Sequence, residues 1–297
     1  MKTILSIIVL SAFLFCAAPF VINNEKITGY NFGKAKSSFT LPDILHEVSG
    51  ITEIDSNTIA CVQDEKGILF LYDINKNKIA NQYTFNINGD YEGIARVGKS
   101  IYILRSDGVL LFIEDYTNEK SKTDSIITNI PCDNNEGLCY DSDNNRLLIG
   151  CKGKPGKGPQ NNGIRVIYSF DLKTQKLSEK PVFTFKLDSA KALALKSGIK
   201  LAQKKTKNGT LDDYSLSFFI SGMGIHPVTK KLYTVSSKDH LLFIINKEGK
   251  IEHIEQLNAN TFNKAEGITF LANGDILISN EGQNKKPSLY RFAYKGN

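Results

Sequence analysis

The residues best suited to chemistry stand in a recurring triplet of Ser or Glu, then Gly, then a large apolar residue. It occurs as Ser49-Gly50-Ile51, Glu92-Gly93-Ile94, Glu136-Gly137-Leu138, Ser221-Gly222-Met223 and Glu266-Gly267-Ile268. If the repeat sets these positions at one level, Glu92, Glu136 and Glu266 become three like charges at close range. Such a ring requires raised pKa values, neighbouring basic side chains or a bound cation, unless the carboxylates simply turn out to solvent. Carboxylates and hydroxyls form an all-oxygen donor set, which suits a hard cation, calcium ahead of magnesium.

A second set of polar residues follows each triplet at a steady interval: Gln63-Asp64, Arg105-Ser106, Cys151-Lys152, Ser236-Ser237 and Asn280-Glu281. Asp64 and Glu281 extend the oxygen set. Arg105 and Lys152 would either neutralise it without metal or hold an anionic ligand beside Ser49 and Ser221. His46, next to Glu47, is the histidine expected near this mouth, whereas His226-Pro227 reads as a turn. No G-x-S-x-G, H-E-x-x-H or phosphate-loop motif is present. Asp141-Ser142-Asp143-Asn144-Asn145 resembles the start of an EF-hand loop but lacks its Gly and distant Glu.

The triplet glycines are spaced by 43, 44, 85 and 45 residues. A period in the forties built from short strands is the signature of propeller blades. After each triplet come further strand-like runs separated by turn formers, as in Ile59 to Val62, Ile68 to Ile74 and Ile79 to Phe85. The expected fold is therefore all-β, a five-bladed β-propeller, with six blades as the alternative because of the long interval. Within that interval, Lys152 to Pro159 reads as a loop and Ser189 to Lys205 as a short helical insertion. The last blade lacks a fourth strand, and Tyr30 to Leu41 has no blade of its own. Pairing that segment onto the last blade would close the ring and leave no free edge. Residues 24–297 are thus expected to form a single propeller domain.

Residues 1–18 carry a positive start, an apolar run from Ile4 to Phe15 and small residues beyond it. The run is shorter than the ~20 residues of a membrane span and reads as a signal peptide or membrane anchor. Three outcomes stay open: cleavage near Ala18, lipid attachment at Cys16, or an uncleaved anchor. Each places the protein at the cell membrane or in the periplasm. Of the remaining cysteines, Cys61, Cys139 and Cys151 sit in apolar runs, and simple packing is expected for these and Cys132 ahead of a single disulfide. The 37 Lys+Arg against 31 Asp+Glu give a mild net charge of +6, too small and unclustered to indicate nucleic acid. The lysines of the insertion, among them Lys191, Lys196 and Lys200, read as a solvated face or a contact with anionic lipid.

Glu47-Val48-Ser49-Gly50-Ile51, Asp90-Tyr91-Glu92-Gly93-Ile94-Ala95, Leu104-Arg105-Ser106-Asp107-Gly108, Asn135-Glu136-Gly137-Leu138, Ala265-Glu266-Gly267-Ile268 and Ile278-Ser279-Asn280-Glu281-Gly282 follow one another along the chain. On these motifs the sequence resembles the SdiA-regulated (YjiK-like) family of exported β-propeller proteins. The resemblance implies five blades, a calcium site, membrane association through the N-terminus and no established enzymatic activity. Two functions follow. One is a calcium-binding, non-catalytic envelope protein that engages a ligand or an envelope partner. The other is a calcium-dependent hydrolase of a lactone or phosphate ester, with the metal in the central channel, Arg105 and Lys152 on an anion, and His46 or a spare Glu as base.

Overall fold

The computed structural model describes residues 28–118, 120–205 and 211–296; the leader expected over residues 1–18, with Cys16, lies outside them. Strand β1 (Ser37–Thr40) precedes blade 1, formed by β2 (Val48–Glu53), β3 (Thr58–Gln63), β4 (Ile68–Asp73) and β5 (Lys78–Thr84). Blade 2 holds β6 (Tyr91–Val97), β7 (Ser100–Arg105), β8 (Val109–Ile113) and β9 (Thr123–Ile127). Blade 3 holds β10 (Asn135–Asp141), β11 (Arg146–Cys151), β12 (Ile164–Asp171) and an outer strand split into β13 (Lys176–Leu177) and β14 (Phe183–Lys186). Helix α1 (Leu187–Lys196) and a hairpin of β15 (Ala202–Lys205) and β16 (Leu211–Ser215) follow. Blade 4 is β17 (Gly222–Ile225), β18 (Leu232–Ser236), β19 (Leu241–Ile245) and β20 (Ile251–Gln256). Blade 5 is β21 (Ala265–Phe270), β22 (Ile276–Asn280), β23 (Ser288–Phe292) and, from the other end of the chain, β1. The inner strands run β2, β6, β10, β17, β21 and back to β2, so five antiparallel blades close one ring and the six-blade alternative is excluded.

Burial explains the strand patterns. A middle strand lies between two neighbouring blades, so both its faces are covered and it reads as a continuous apolar run, as in β19 (Leu-Leu-Phe-Ile-Ile), buried throughout. The outermost strands meet solvent and turn polar, as in β5, which is mostly exposed. Ring closure has its own clip: β1 pairs antiparallel with β23 from Ser37–Arg291 to Thr40–Ser288. The Lys36 ammonium and the Arg291 guanidinium both reach the buried Asp275 carboxylate, at 2.9 and 2.7 Å. Upstream, Tyr30 packs edge-on against Tyr233 and His226. This segment sits at the Gly274 and His226 turns, the end of the ring opposite the triplets.

The insertion and the cysteines depart from expectation. The helix ends at Lys196, short of the expected Lys205, because Gly198 adopts φ 76° and the Ile199 amide turns back onto the Ala194 carbonyl at 3.0 Å. The residues beyond form the β15–β16 hairpin, which period-3.6 reading misses. Cys132 and Cys151 form a disulfide, against the expectation of packing alone; the loop entering β10 passes the end of β11 with the two Cα atoms 6.0 Å apart. Cys61 and Cys139 are buried free thiols, as expected of small apolar fillers.

Candidate functional site

The triplets open the inner strands, and their glycines are required by close approach. A Cβ on Gly222 would lie 2.0 Å from the Glu266 carbonyl oxygen of the next blade, and one on Gly93 would lie 2.8 Å from that of Glu136. No other residue type fits. The register slips at the same places in four inner strands, between Val48 and Gly50, Tyr91 and Gly93, Asn135 and Gly137, and Ala265 and Ile268. A bulge leaves its extra residue outside the ladder and re-aims the side chain. The residues left out of the ladder are Ser49, Glu92 and Glu136, and in β21 both Glu266 and Gly267.

Ser49, Glu92, Glu136, Ser221 and Glu266 line one small cavity of about 10 Å³, room for about one water. Beneath them the third triplet residues, Ile51, Ile94, Leu138, Met223 and Ile268, form a buried apolar layer. The same five side chains also line a cup of about 190 Å³ at the opposite end, with Glu53, Arg96 and Tyr140 on its rim. The channel is therefore plugged: two cups stand back to back, and the carboxylates belong to one of them.

Within that cup the Lys152 ammonium pairs with Glu136 Oε1, while Glu136 Oε2 is buried without a partner. Lys264 lies 3.5 Å from Glu266 Oε1 and 2.8 Å from Glu281 Oε2. Ser237 donates to Glu266 Oε1 at 3.1 Å, and its hydroxyl stands 3.0 Å from that of Ser221. Asp64 Oδ1 is also buried and unpartnered. Burial, then the charge of Asp90, pushes the Glu92 carboxyl up to about 8, with Glu266 and Asp64 adding to the shift and Lys152 opposing it. Burial, then Glu266 and Glu92, raises Glu136 to about 9 in spite of Lys152. Glu266 is raised by burial against the pull of Lys264. Asp64 reaches about 7 through burial and the charges of Glu47, Glu65, Glu281 and Asp90. The cup is thus short of positive charge, and Glu92 and Glu136 hold their protons into the neutral range.

The structure gathers Glu92, Glu136, Glu266, Ser221 and Lys152, with Asp64 and Glu281 at the rim. Ser49 lines the cavity too, but its hydroxyl is spent on the Tyr91 carbonyl at 2.5 Å. Arg105 and His46 are not drawn in. Arg105 is taken by Asp107 two residues along, at 3.1 Å from its Nε. His46 Nε2 bonds the Gln283 carbonyl at 3.0 Å. Lys264 and Asp90 are participants that sequence reasoning did not single out, and Ser237, named only as part of the second polar set, takes a direct role. For Lys264 and Asp90 a signal existed, since each precedes a triplet Glu by only two residues. Among the described residues, no group of three His, Cys, Asp or Glu side chains is drawn together closely enough to hold a metal ion.

Fold and site together define a five-bladed β-propeller with an acidic, lysine-trimmed cup over a plugged channel. Comparison with solved structures agrees on the fold. Glutaminyl cyclase of Myxococcus xanthus superposes with a TM-score of 0.58 at 13% identity, over 88% of this chain and 95% of that one. A streptogramin B lyase gives a TM-score of 0.47 at 12% identity, over 86% and 95% of the two chains. A luciferin-regenerating enzyme gives 0.49 at 11%, over 86% and 95%. No protein-family model matches the chain, and no curated protein matches it in sequence.

Proposed function

We propose that this chain is an exported, envelope-associated β-propeller of the SdiA-regulated type that binds a cation in the acidic cup and performs no chemistry of its own. The observation that carries this reading is the buried, unpartnered Glu136 Oε2 in a cup where Glu92, Glu136 and Glu266 interact electrostatically. A buried acceptor without a donor is costly unless a ligand meets it. The donors are all oxygens, the chemistry that calcium takes, and Glu92, Glu136 and Glu266 would have to draw closer than they stand here to hold it. Such an ion would supply the positive charge that the cup lacks, and its entry requires the Lys152 ammonium to leave Glu136. The Cys132–Cys151 disulfide supports an oxidising, extracytoplasmic setting. The bound ion would then present a ligand or envelope partner at the mouth.

An enzymatic reading has one observation in its favour: Asp64 and Glu92, raised to about 7 and about 8, are poised for general acid–base work near neutral pH. The glutaminyl cyclase of similar fold is an enzyme. The anion grip of a hydrolase would fall to Lys152 alone, because Arg105 and His46 are engaged elsewhere. Thermal melts of the mature domain with calcium, with magnesium and with chelator test the first reading. Calcium should raise the melting temperature, and Glu92→Gln, Glu136→Gln and Glu266→Gln together should abolish that rise. An unchanged melt in calcium, or a triple variant that still responds, would sink it.

A further inference from the structure

The outer strands of blades 1 and 2 meet solvent with mostly exposed faces. Blade 3 differs. Its outer strand β14 carries Phe183 and Phe185, and helix α1 is laid over it and across to β20 of blade 4. Propeller geometry does not require this cover, since the blades without an insertion do without it. Between the helix and the two blades lies a groove of about 470 Å³, within the ~300–1,000 Å³ range of small-molecule sites.

Its lining is divided by chemistry. Leu193 and Ile251, both half-buried, make the apolar walls, with Phe185 and Ala190 buried behind them, and Lys186 and Lys250 stand on the lining with no Asp or Glu among the residues there. The nearest helix acid, Asp188, points outward with its side chain 95% exposed and pairs with Lys191 at 3.3 Å. Lys186 is also the residue immediately before α1, and no side chain caps the helix's first turn. The positive end of the helix therefore reinforces the lysine at the same end of the groove.

We propose that this groove is a second binding site, independent of the acidic cup, for a single-chain anionic amphiphile: a carboxylate or phosphate head met by Lys186 and Lys250, and an alkyl tail against Leu193 and Ile251. Charge complementarity selects the head, because an apolar groove with unopposed ammonium groups repels cations and leaves a neutral head without its ionic partner. The apolar walls select the tail, because each methylene they cover leaves water. A folded bilayer-bound lipid is a different source of the same chemistry, and the groove commits to the free, monomeric amphiphile.

The test is titration of the full mature chain with laurate below its micelle concentration, followed by intrinsic tyrosine fluorescence or calorimetry. Dodecanol serves as the neutral match and anionic phospholipid vesicles as the bilayer arm. Laurate should bind at least about tenfold more tightly than dodecanol, the difference expected for charge-assisted contacts. Lys186→Glu with Lys250→Glu should cost laurate about tenfold or more and leave dodecanol unchanged. Leu193→Asp should abolish both, while thermal melts confirm that each variant is folded. Equal binding of laurate and dodecanol, an indifferent double reversal, or binding to vesicles alone would overturn the proposal. Because Glu92→Gln touches only the cup, it should leave laurate binding intact, so failure here and failure of the cation reading are told apart.

Discussion

The most exposing perturbation of the cup is Glu92→Gln in chelator, followed across pH. The Glu92 carboxyl is raised from 4.5 to about 8 in the folded chain, so the native state holds this proton more tightly than the unfolded one. Stability must then be complete below the unfolded value and fall as pH rises toward and through the folded value. At about 1.4 kcal/mol per pKa unit, this one group withdraws about 3 kcal/mol between its ordinary pKa and neutrality. In a domain of this size that is about 6–12 °C of melting temperature. Urea unfolding at a series of pH values, with chelator present, reads it directly. The wild-type protein should weaken steadily from about pH 5 to pH 8, whereas Glu92→Gln should be flatter and should overtake the wild type at the alkaline end. Calcium should restore the wild type and not the variant. Parallel curves, with the variant weaker by the same amount at every pH, would refute the reasoning, because Glu92 would then be an ordinary solvated carboxylate.

Two further outcomes follow. His226 is fully buried among Tyr30, Phe270 and Tyr294, and its Nδ1 accepts the Val228 and Thr229 amides at 3.1 and 3.0 Å. Burial lowers it from 6.5 to about 4, so stability should fall as pH drops from the first value toward the second; acid melts of His226→Asn should lose this dependence, and an unchanged acid slope would count against it. Lys152→Met should enlarge the calcium-induced rise in melting temperature by removing the ammonium that competes for Glu136, and calorimetric calcium affinity should increase; a lost or unaltered response would show that Lys152 does not stand in the ion's way.

The recurrence of Ser/Glu-Gly-apolar, at intervals near forty residues apart from one of 85, was enough to identify the inner strands and the level of the carboxylates and to put five blades ahead of six; the closed ring decided for five. It sufficed because a propeller blade is a local unit whose strands are sequential neighbours, so its order is written along the chain. Closure by the N-terminal strand was legible for a related reason: the last blade is one strand short.

Partner choice was not legible, because it depends on distances between residues far apart in sequence or on where a short side chain can turn. The bulges that free Glu92, Glu136 and Glu266 are register slips no composition reveals. Arg105 was lost to Asp107, a local partner closer than any carboxylate of the ring. The Cys132–Cys151 bond needed two segments brought to a Cα separation of 6.0 Å, and the groove beside α1 needed the helix laid across two blades. What the sequence by itself determined is a ring of acids at one end of a five-fold barrel of blades. Which of those acids meets a lysine, which keeps a bare buried oxygen, and how the apolar layer beneath seals the channel were decided by tertiary packing, since only there do burial and through-space charge act.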